Sequence, residues 1–319
     1  MRSRLTWLVV IGVAGVAFAA ILDVVDGDRT ETDPIPTMRS ARPVEAPIAV
    51  AFRKAGVSGV LYITLPSGPG CDYRANALPS LELVGSGFLQ RCRVAVSPDG
   101  RHVAEVATCP DNRASLVRNL QNPEVADAFR GCSAAWKPDG TFTYVVRGRI
   151  VRANVECLGA VGCVRVVIPR SAVARGVQRL GAGLGLASVA QIEWLTASRL
   201  AVVVRINRER ESIVLFEQRR PLQTLDLSLP PHSHLEVVAD REEIHVGGRG
   251  LGGFVTFNFN GGLVDGDRIP FGDAAAIAYS PDGRWLALAR PGNVCIHPSG
   301  EPDFPVGCIE GDAQDLAWR

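Results

Sequence analysis

The tripeptide Pro-Asp-Gly stands three times in one setting: Val94-Ala95-Val96-Ser97-Pro98-Asp99-Gly100, Ala134-Ala135-Trp136-Lys137-Pro138-Asp139-Gly140 and Ile277-Ala278-Tyr279-Ser280-Pro281-Asp282-Gly283. Proline presets φ for the second position of a type I turn, Asp accommodates the third, and Gly supplies the left-handed geometry that returns the chain antiparallel. Each copy therefore predicts a tight hairpin. The segments that follow, Arg101 to Val106, Thr141 to Val146 and Arg284 to Ala289, alternate or run apolar over strand length. A strand-turn-strand unit repeated in this way implies modules that bury their apolar faces only against one another.

The spacing sets the number of modules. The residues two before each proline are Val96, Trp136 and Tyr279, separated by 40 and then 143 positions. The long interval requires further copies, and Ile192-Glu193-Trp194-Leu195-Thr196 with Leu200 to Val204 has the same shape without Pro-Asp-Gly. Leu235 to Asp240 with Ile244-His245-Val246 is a fainter copy, which puts Trp194, Val238 and Tyr279 at intervals of 44 and 41. The 58-residue interval from Trp136 to Trp194 leaves an insertion, placed at Ser171 to Ser188, with room for one or two helical turns. Trp318 follows Tyr279 by 39 residues and opens a unit with one strand only. Its other strands are expected from Ile48 to Phe52, Val60 to Thr64 and Leu81 to Val84, so that both chain ends share one sheet and no edge is left open. The predicted fold is all-β, a six-bladed β-propeller closed by a C-terminal strand joined to N-terminal strands and preceded by one N-terminal transmembrane helix.

This pattern of an aromatic residue, Ser, Pro-Asp-Gly, a strand, and a hairpin ending in a small-residue turn resembles the TolB-like six-bladed propellers with WD-like repeats. Matching small-residue turns are Pro66-Ser67-Gly68, Asn260-Gly261-Gly262 and Pro298-Ser299-Gly300. The resemblance covers roughly residues 45 to 319, strongest in three repeats. It implies a rigid disc that presents loops at two faces for protein or ligand binding, and it supplies no catalytic residues.

The N-terminus points to export. Arg2 and Arg4 precede an uncharged run from Leu5 to Leu22, and Asp23, Asp26 and Asp28 follow it. At 1.5 Å per residue that run spans about 27 Å, enough for a bilayer core, and the arginines keep its start cytoplasmic. Residues 1–25 thus form a signal anchor, with the remainder extracytoplasmic at the cell membrane. The competing reading is a cleaved signal, because Ala17-Phe18-Ala19 fits the small-x-small pattern, although Ile21-Leu22 extend the apolar run past that site. Residues 26–46 are polar and, with Pro47, carry four prolines, as a tether does. The propeller then occupies 47–319.

Eight cysteines with no Cys-x-x-Cys pair favour structural disulfides in an oxidising compartment. Cys157 and Cys163 flank a short turn, and Cys295 and Cys308 flank the hairpin around Pro298-Ser299-Gly300, so each set is expected to pair. Cys92 and Cys132 each lie four residues before their repeat marker. Chain order suggests Cys71 with Cys92 and Cys109 with Cys132, while Cys92 with Cys109 across the first hairpin is a rival.

Lys and Arg number 34 against 33 acidic residues with no basic stripe, which argues against a nucleic-acid partner. The run Arg208-Glu209-Arg210-Glu211 reads as a solvated turn. No Gly-x-Ser-x-Gly elbow occurs. His232-Ser233-His234 with His245 could in principle ligate a metal, and Asp265-Gly266-Asp267 with Asp273 could hold calcium, but both read better as loop and turn. No cofactor is expected. Trp136, Trp194, Tyr279, Trp285 and Trp318 recur at repeat positions and read as fillers between blades.

Three function classes remain. The first is a non-catalytic, membrane-tethered extracytoplasmic propeller that binds a protein or envelope component. The second is a propeller enzyme of lactonase or lyase type with a channel metal. It would need inward His or Asp at the inner-strand starts, which are read here as Cys, Ala and small residues. The third is a small-ligand or glycan sensor. Oligomeric state and the functional face are not legible.

Overall fold

The computed structural model describes residues 46–319 apart from 108, 110–113, 159, 161, 179–187, 208, 230–233, 239–240, 248–253, 265–273 and 302. The anchor expected at 1–25 and nearly all of the expected linker lie outside the described residues. Among the described residues no helix is long and apolar enough to cross a membrane.

A helix, α1 (Pro47–Ala55), precedes three strands of the first blade, β1 (Gly59–Ser67), β2 (Gly70–Leu78) and β3 (Glu82–Leu89). Blade two is β4 (Val94–Val96), β5 (His102–Glu105), β6 (Ala114–Asn119) and β7 (Asn122–Arg130). Blade three is β8 (Cys132–Trp136), β9 (Phe142–Val146), β10 (Arg149–Ala153) and β11 (Val164–Ile168), followed by a helix, α2 (Arg170–Gln178). Blade four is β12 (Ser188–Trp194), β13 (Arg199–Arg205), β14 (Glu211–Glu217) and β15 (Arg220–Leu229). Blade five is β16 (His234–Val238), β17 (Glu243–Gly247) and β18 (Phe254–Asn258), and blade six is β19 (Ala276–Tyr279), β20 (Trp285–Arg290), β21 (Asn293–Pro298) and β22 (Gly307–Glu310). The last strand, β23 (Asp315–Trp318), pairs antiparallel with β1, Leu61 opposite Trp318 and Thr64 opposite Asp315, and completes blade one. The inner strands β4, β8, β12, β16, β19 and β23 touch in that order around the ring, and β23 meets β4.

All six markers, Val96, Trp136, Trp194, Val238, Tyr279 and Trp318, end an inner strand. The Pro-Asp-Gly turns have the expected chemistry. Gly100, Gly140 and Gly283 sit at φ of 67°, 82° and 65°, and their N–H groups donate to Ser97, Lys137 and Ser280 carbonyls three residues back. Asp99 Oδ1 accepts from the Ser97 hydroxyl and from the Arg101 N–H, which locks the turn from inside. In blade four Thr196 takes over this part, its Oγ1 accepting from the N–H groups of Ser198 and Arg199. That substitution explains how the blade forms without Pro-Asp-Gly.

The tryptophan markers tie the ring together, two of them between neighbouring blades and Trp318 within blade one, where the chain ends meet. Trp136 Nε1 donates to the Ala95 carbonyl at 3.1 Å, Trp194 Nε1 to Thr143 Oγ1 at 2.8 Å, and Trp318 Nε1 to the Ser58 carbonyl at 3.0 Å. These rings are buried, whereas Trp285 is only half-buried and packs on the core between blades six and one.

The first blade departs from the sequence reading. Ile48 to Phe52 is helical, not a strand. Pro47 opens the helix, Gly56 ends it at φ 76° with its N–H on the Arg53 carbonyl, and Ala49 and Phe52, three apart, form its buried side. Phe52 joins Leu61, Ala287 and Trp318 in the core between blades one and six. The helix lies so close to β22 that a Cβ at Gly307 would stand 2.8 Å from Ile48 and 3.0 Å from Phe52. The missing strand is β2, whose burial alternates with Cys71, Tyr73 and Ala75 inside and Asp72 and Arg74 outside. The third strand begins at Glu82 and runs further than Leu81 to Val84 suggested.

The insertion after blade three carries α2 for its first half, and 179–187 lie outside the described residues. The Arg208 to Glu211 segment is only partly solvated. Glu209 is exposed, but Glu211 opens β14 inside the sheet, where Arg205 Nε and Nη2 donate to its Oε1 at 3.0 and 2.7 Å.

Four disulfides join Cys71 to Cys92, Cys109 to Cys132, Cys157 to Cys163 and Cys295 to Cys308, and no free cysteine remains. The first two are equivalent staples. Each ties the region between the second and third strands of one blade to the start of the next blade's inner strand, linking blades one to two and two to three. The other two close the outer hairpins of blades three and six, with Cys295 directly opposite Cys308.

Candidate functional site: the central channel

Side chains along an inner strand alternate between the two faces of its blade, each packed against a neighbouring blade, and the strand itself edges the channel. In β12 the channel-lining positions include Gln191 and Glu193, two residues apart in an otherwise apolar run. Glu236 comes from β16 and Asp315 from β23, while Arg93 precedes β4 and Arg319 follows β23. Together they line a cavity of about 170 Å³ on the axis. Asp315 opens β23, which corrects the expectation that the inner-strand starts carry only Cys, Ala and small residues, and Glu193 and Glu236 add carboxyl groups further along β12 and β16.

Most of these groups also fasten one blade to the next. Asp315 Oδ2 accepts from the Val94 N–H at 2.9 Å, and Arg319 Nε donates to the Val96 carbonyl at 3.1 Å, both across the seam between blades one and two. Ser133 Oγ accepts from the Ile192 N–H at 3.0 Å between blades three and four. Ser133 sits in a bulge of β8 at φ 43°, a left-handed conformation costly for a residue with a Cβ. Gln191 Nε2 donates to the Leu235 carbonyl at 3.1 Å, and Glu236 Oε1 accepts from the Tyr279 N–H at 3.3 Å.

Glu193 is the electrostatic outlier. Desolvation by the surrounding protein, then repulsion from Glu236 and Asp315, push its carboxyl up to about 8 against the pull of Arg319 and Arg93. It borders the cavity and keeps part of its surface open to it. At neutral pH it is mostly a neutral acid.

That shift has a signed consequence for stability. Between about 4.5 and 8 the unfolded chain ionises Glu193 while the folded chain keeps the proton, so this group's contribution falls as pH rises through that window. Glu193→Gln is expected to remove the slope and raise stability at pH 8 by about 1–2 kcal/mol, discounted for water in the channel. Denaturant titrations of both proteins at pH 5 and pH 8 check this, and equal differences at the two pH values would refute it. His245 acts in the opposite sense: burial lowers its pKa from 6.5, so its contribution is complete above that value and is lost as pH falls below it. The difference between the two proteins cancels that background.

Both ring nitrogens of His245 are engaged by neighbouring side chains. It is buried on β17, Nε2 3.0 Å from Glu243 Oε2, and Nδ1 3.3 Å from Thr256 Oγ1 and 3.2 Å from the Tyr279 hydroxyl. This cluster bolts blade five to blade six and, through burial, pushes the Tyr279 phenol well up. Of its suggested companions, His232 and Ser233 lie outside the described residues, as do Asp265, Gly266, Asp267 and Asp273, and His234 begins β16. Among the described residues no three His, Cys, Asp or Glu side chains converge closely enough to hold a metal ion.

No protein-family model and no curated protein matches this chain. Its architecture is nevertheless shared with solved structures. TolB from Acinetobacter baumannii is 14% identical at a TM-score of 0.52 over 82% of this chain, which spans 66% of the TolB chain, just under two thirds. The Cps50 (Swd1) β-propeller domain of Myceliophteria thermophila is 14% identical at 0.51, covering 81% of this chain and 86% of that one. A chain of a nidogen/laminin complex is 12% identical at 0.51, covering 82% and 98%. At these identities the likeness is one of fold: the chain has a TolB-like six-bladed propeller.

Proposed function

We propose that this chain is a non-catalytic extracytoplasmic binding module, tethered to the membrane by its N-terminal segment, that docks a protein of the cell envelope. The observation that carries the reading is the outermost strand of blade one. Leu83, Val84 and Phe88 on β3 are 54, 55 and 48% exposed. Three half-exposed large apolar side chains on one unpaired sheet edge are disfavoured in water and suit a partner that covers them. The four disulfides support an oxidising compartment. Among chains of the same fold, one comes from a complex of nidogen with laminin, an instance of a propeller in a protein assembly.

Crosslinking in intact membranes, followed by capture of the full chain, is expected to recover one specific envelope protein. The Val84→Glu, Phe88→Ser double variant, which changes only exposed positions, is expected to reduce that recovery at least about tenfold with an unchanged melting temperature. Equal recovery with the variant would reject β3 as the contact. Reproducible recovery of no partner would reject the module itself.

A further inference from the structure

We propose that the central channel binds a small organic cation through a primary ammonium group, held by Gln191 and Glu193, in a cavity that Glu236 and Asp315 also line. The inference is independent of protein docking at β3. Gln191 is only 5% exposed and lines the channel cavity. Its Nε2 is committed to the Leu235 carbonyl, which fixes the orientation of the amide, and its Oε1 has no hydrogen-bond partner. A buried acceptor left in this way is costly, and an N–H donor in the cavity would satisfy it. Around the same space stand three carboxyl groups against the two guanidinium groups of Arg93 and Arg319. Arg319 is turned away in part, bonded to the Val96 and Trp318 carbonyls.

The balance of charge selects the class of ligand. Desolvation is the main cost of a charge at Glu193, and an entering anion would meet repulsion from Glu236 and Asp315 on top of it. For a cation those two carboxyl groups attract and so offset the cost of desolvation. On binding, Glu193 releases its proton to the buffer and the resulting carboxylate pairs with the ammonium, so charge inside the channel is conserved. A metal ion is a poorer fit because the carboxyl groups do not converge as ligands. The cavity, about 170 Å³, has room for roughly six waters, hence for an ammonium with a short chain.

Calorimetric titration of the full chain in mild detergent at pH 7, in two buffers of different ionisation enthalpy, tests this with ethylammonium, tetramethylammonium, potassium and acetate. Ethylammonium is expected to bind at about millimolar Kd with net proton release. Tetramethylammonium, which has no N–H, is expected to bind at least about tenfold more weakly, and potassium and acetate likewise. Glu193→Gln is expected to abolish proton release, and Gln191→Leu to weaken ethylammonium about tenfold, each with a wild-type circular dichroism spectrum. No ethylammonium binding, equal binding of any of the other three ions, or binding without proton release in the unaltered protein would overturn the proposal. The last outcome is decisive even if both variants fail to fold.

Discussion

Trp318→Ala is expected to lower the unfolding free energy by about 4 kcal/mol, at the upper end of what one side chain contributes. Trp318 is 1% exposed, packs with Phe52, Leu61 and Ala287, and donates its indole N–H to Ser58. Its strand is also the only one supplied from the C-terminal end to blade one, through the pairing of Leu61 with Trp318 and Thr64 with Asp315. Loosening β23 leaves β1 without its inner neighbour and breaks the contacts with β4 and β19 on either side. Urea unfolding followed by tryptophan-independent far-ultraviolet dichroism measures the effect. A loss under about 1 kcal/mol would mean that the closing strand does not hold the ring.

The second large effect concerns the two staples between blades. Cys71 and Cys92 are 21 residues apart and Cys109 and Cys132 are 23 apart, so loop closure predicts about 3 kcal/mol for each bridge. Replacing all four by alanine is expected to cost about 6 kcal/mol, since the bridges sit on different seams and act nearly independently. Replacing Cys157 and Cys163, which close a separation of 6, is expected to cost only about 2 kcal/mol. Denaturant midpoints of the variants, with the slope checked for constancy, give the comparison. A quadruple variant as stable as the parent would show that apolar packing alone clamps blades one to three.

An oxidising compartment and the stapled ring support each other physically. A propeller buries its core through contacts between neighbouring modules, and the seam where the chain ends meet relies on one short strand. Bridging the two blades that follow this seam restrains the part of the wheel nearest its closure. The hydrogen bonds of Asp315 and Arg319 to Val94 and Val96 tie the closing strand to blade two from the channel side. The channel groups therefore have a double role, since removing Asp315 would loosen the ring as well as alter the cavity.

The repeat markers were legible because their spacing and turn chemistry are local properties. Pro-Asp-Gly encodes its hairpin within seven residues, and Trp136, Trp194, Tyr279 and Trp318 fall where an inner strand must end. The helix at Pro47 to Ala55 was misread because Ile48 to Phe52 is a short apolar run, which periodicity alone does not divide between helix and strand. Pro47 and Gly56 were the available signals. The channel was missed for another reason. Glu193 and Glu236 look like ordinary exposed positions of alternating strands, and only closure of the wheel turns their face from solvent to a narrow axis. The polar Gln191-x-Glu193 step in an inner strand was the one clue.

By itself the amino-acid sequence determined the module, its repetition, the turn chemistry and an even set of cysteines, all of which depend on neighbours along the chain. Tertiary structure alone decided which cysteines meet, how α1 caps the join between blades one and six, and that carboxyl groups from blades four, five and one face a common cavity. The reason is geometric: pairing and desolvation depend on distances across the ring, and those distances exist only after both ends have been brought into one sheet.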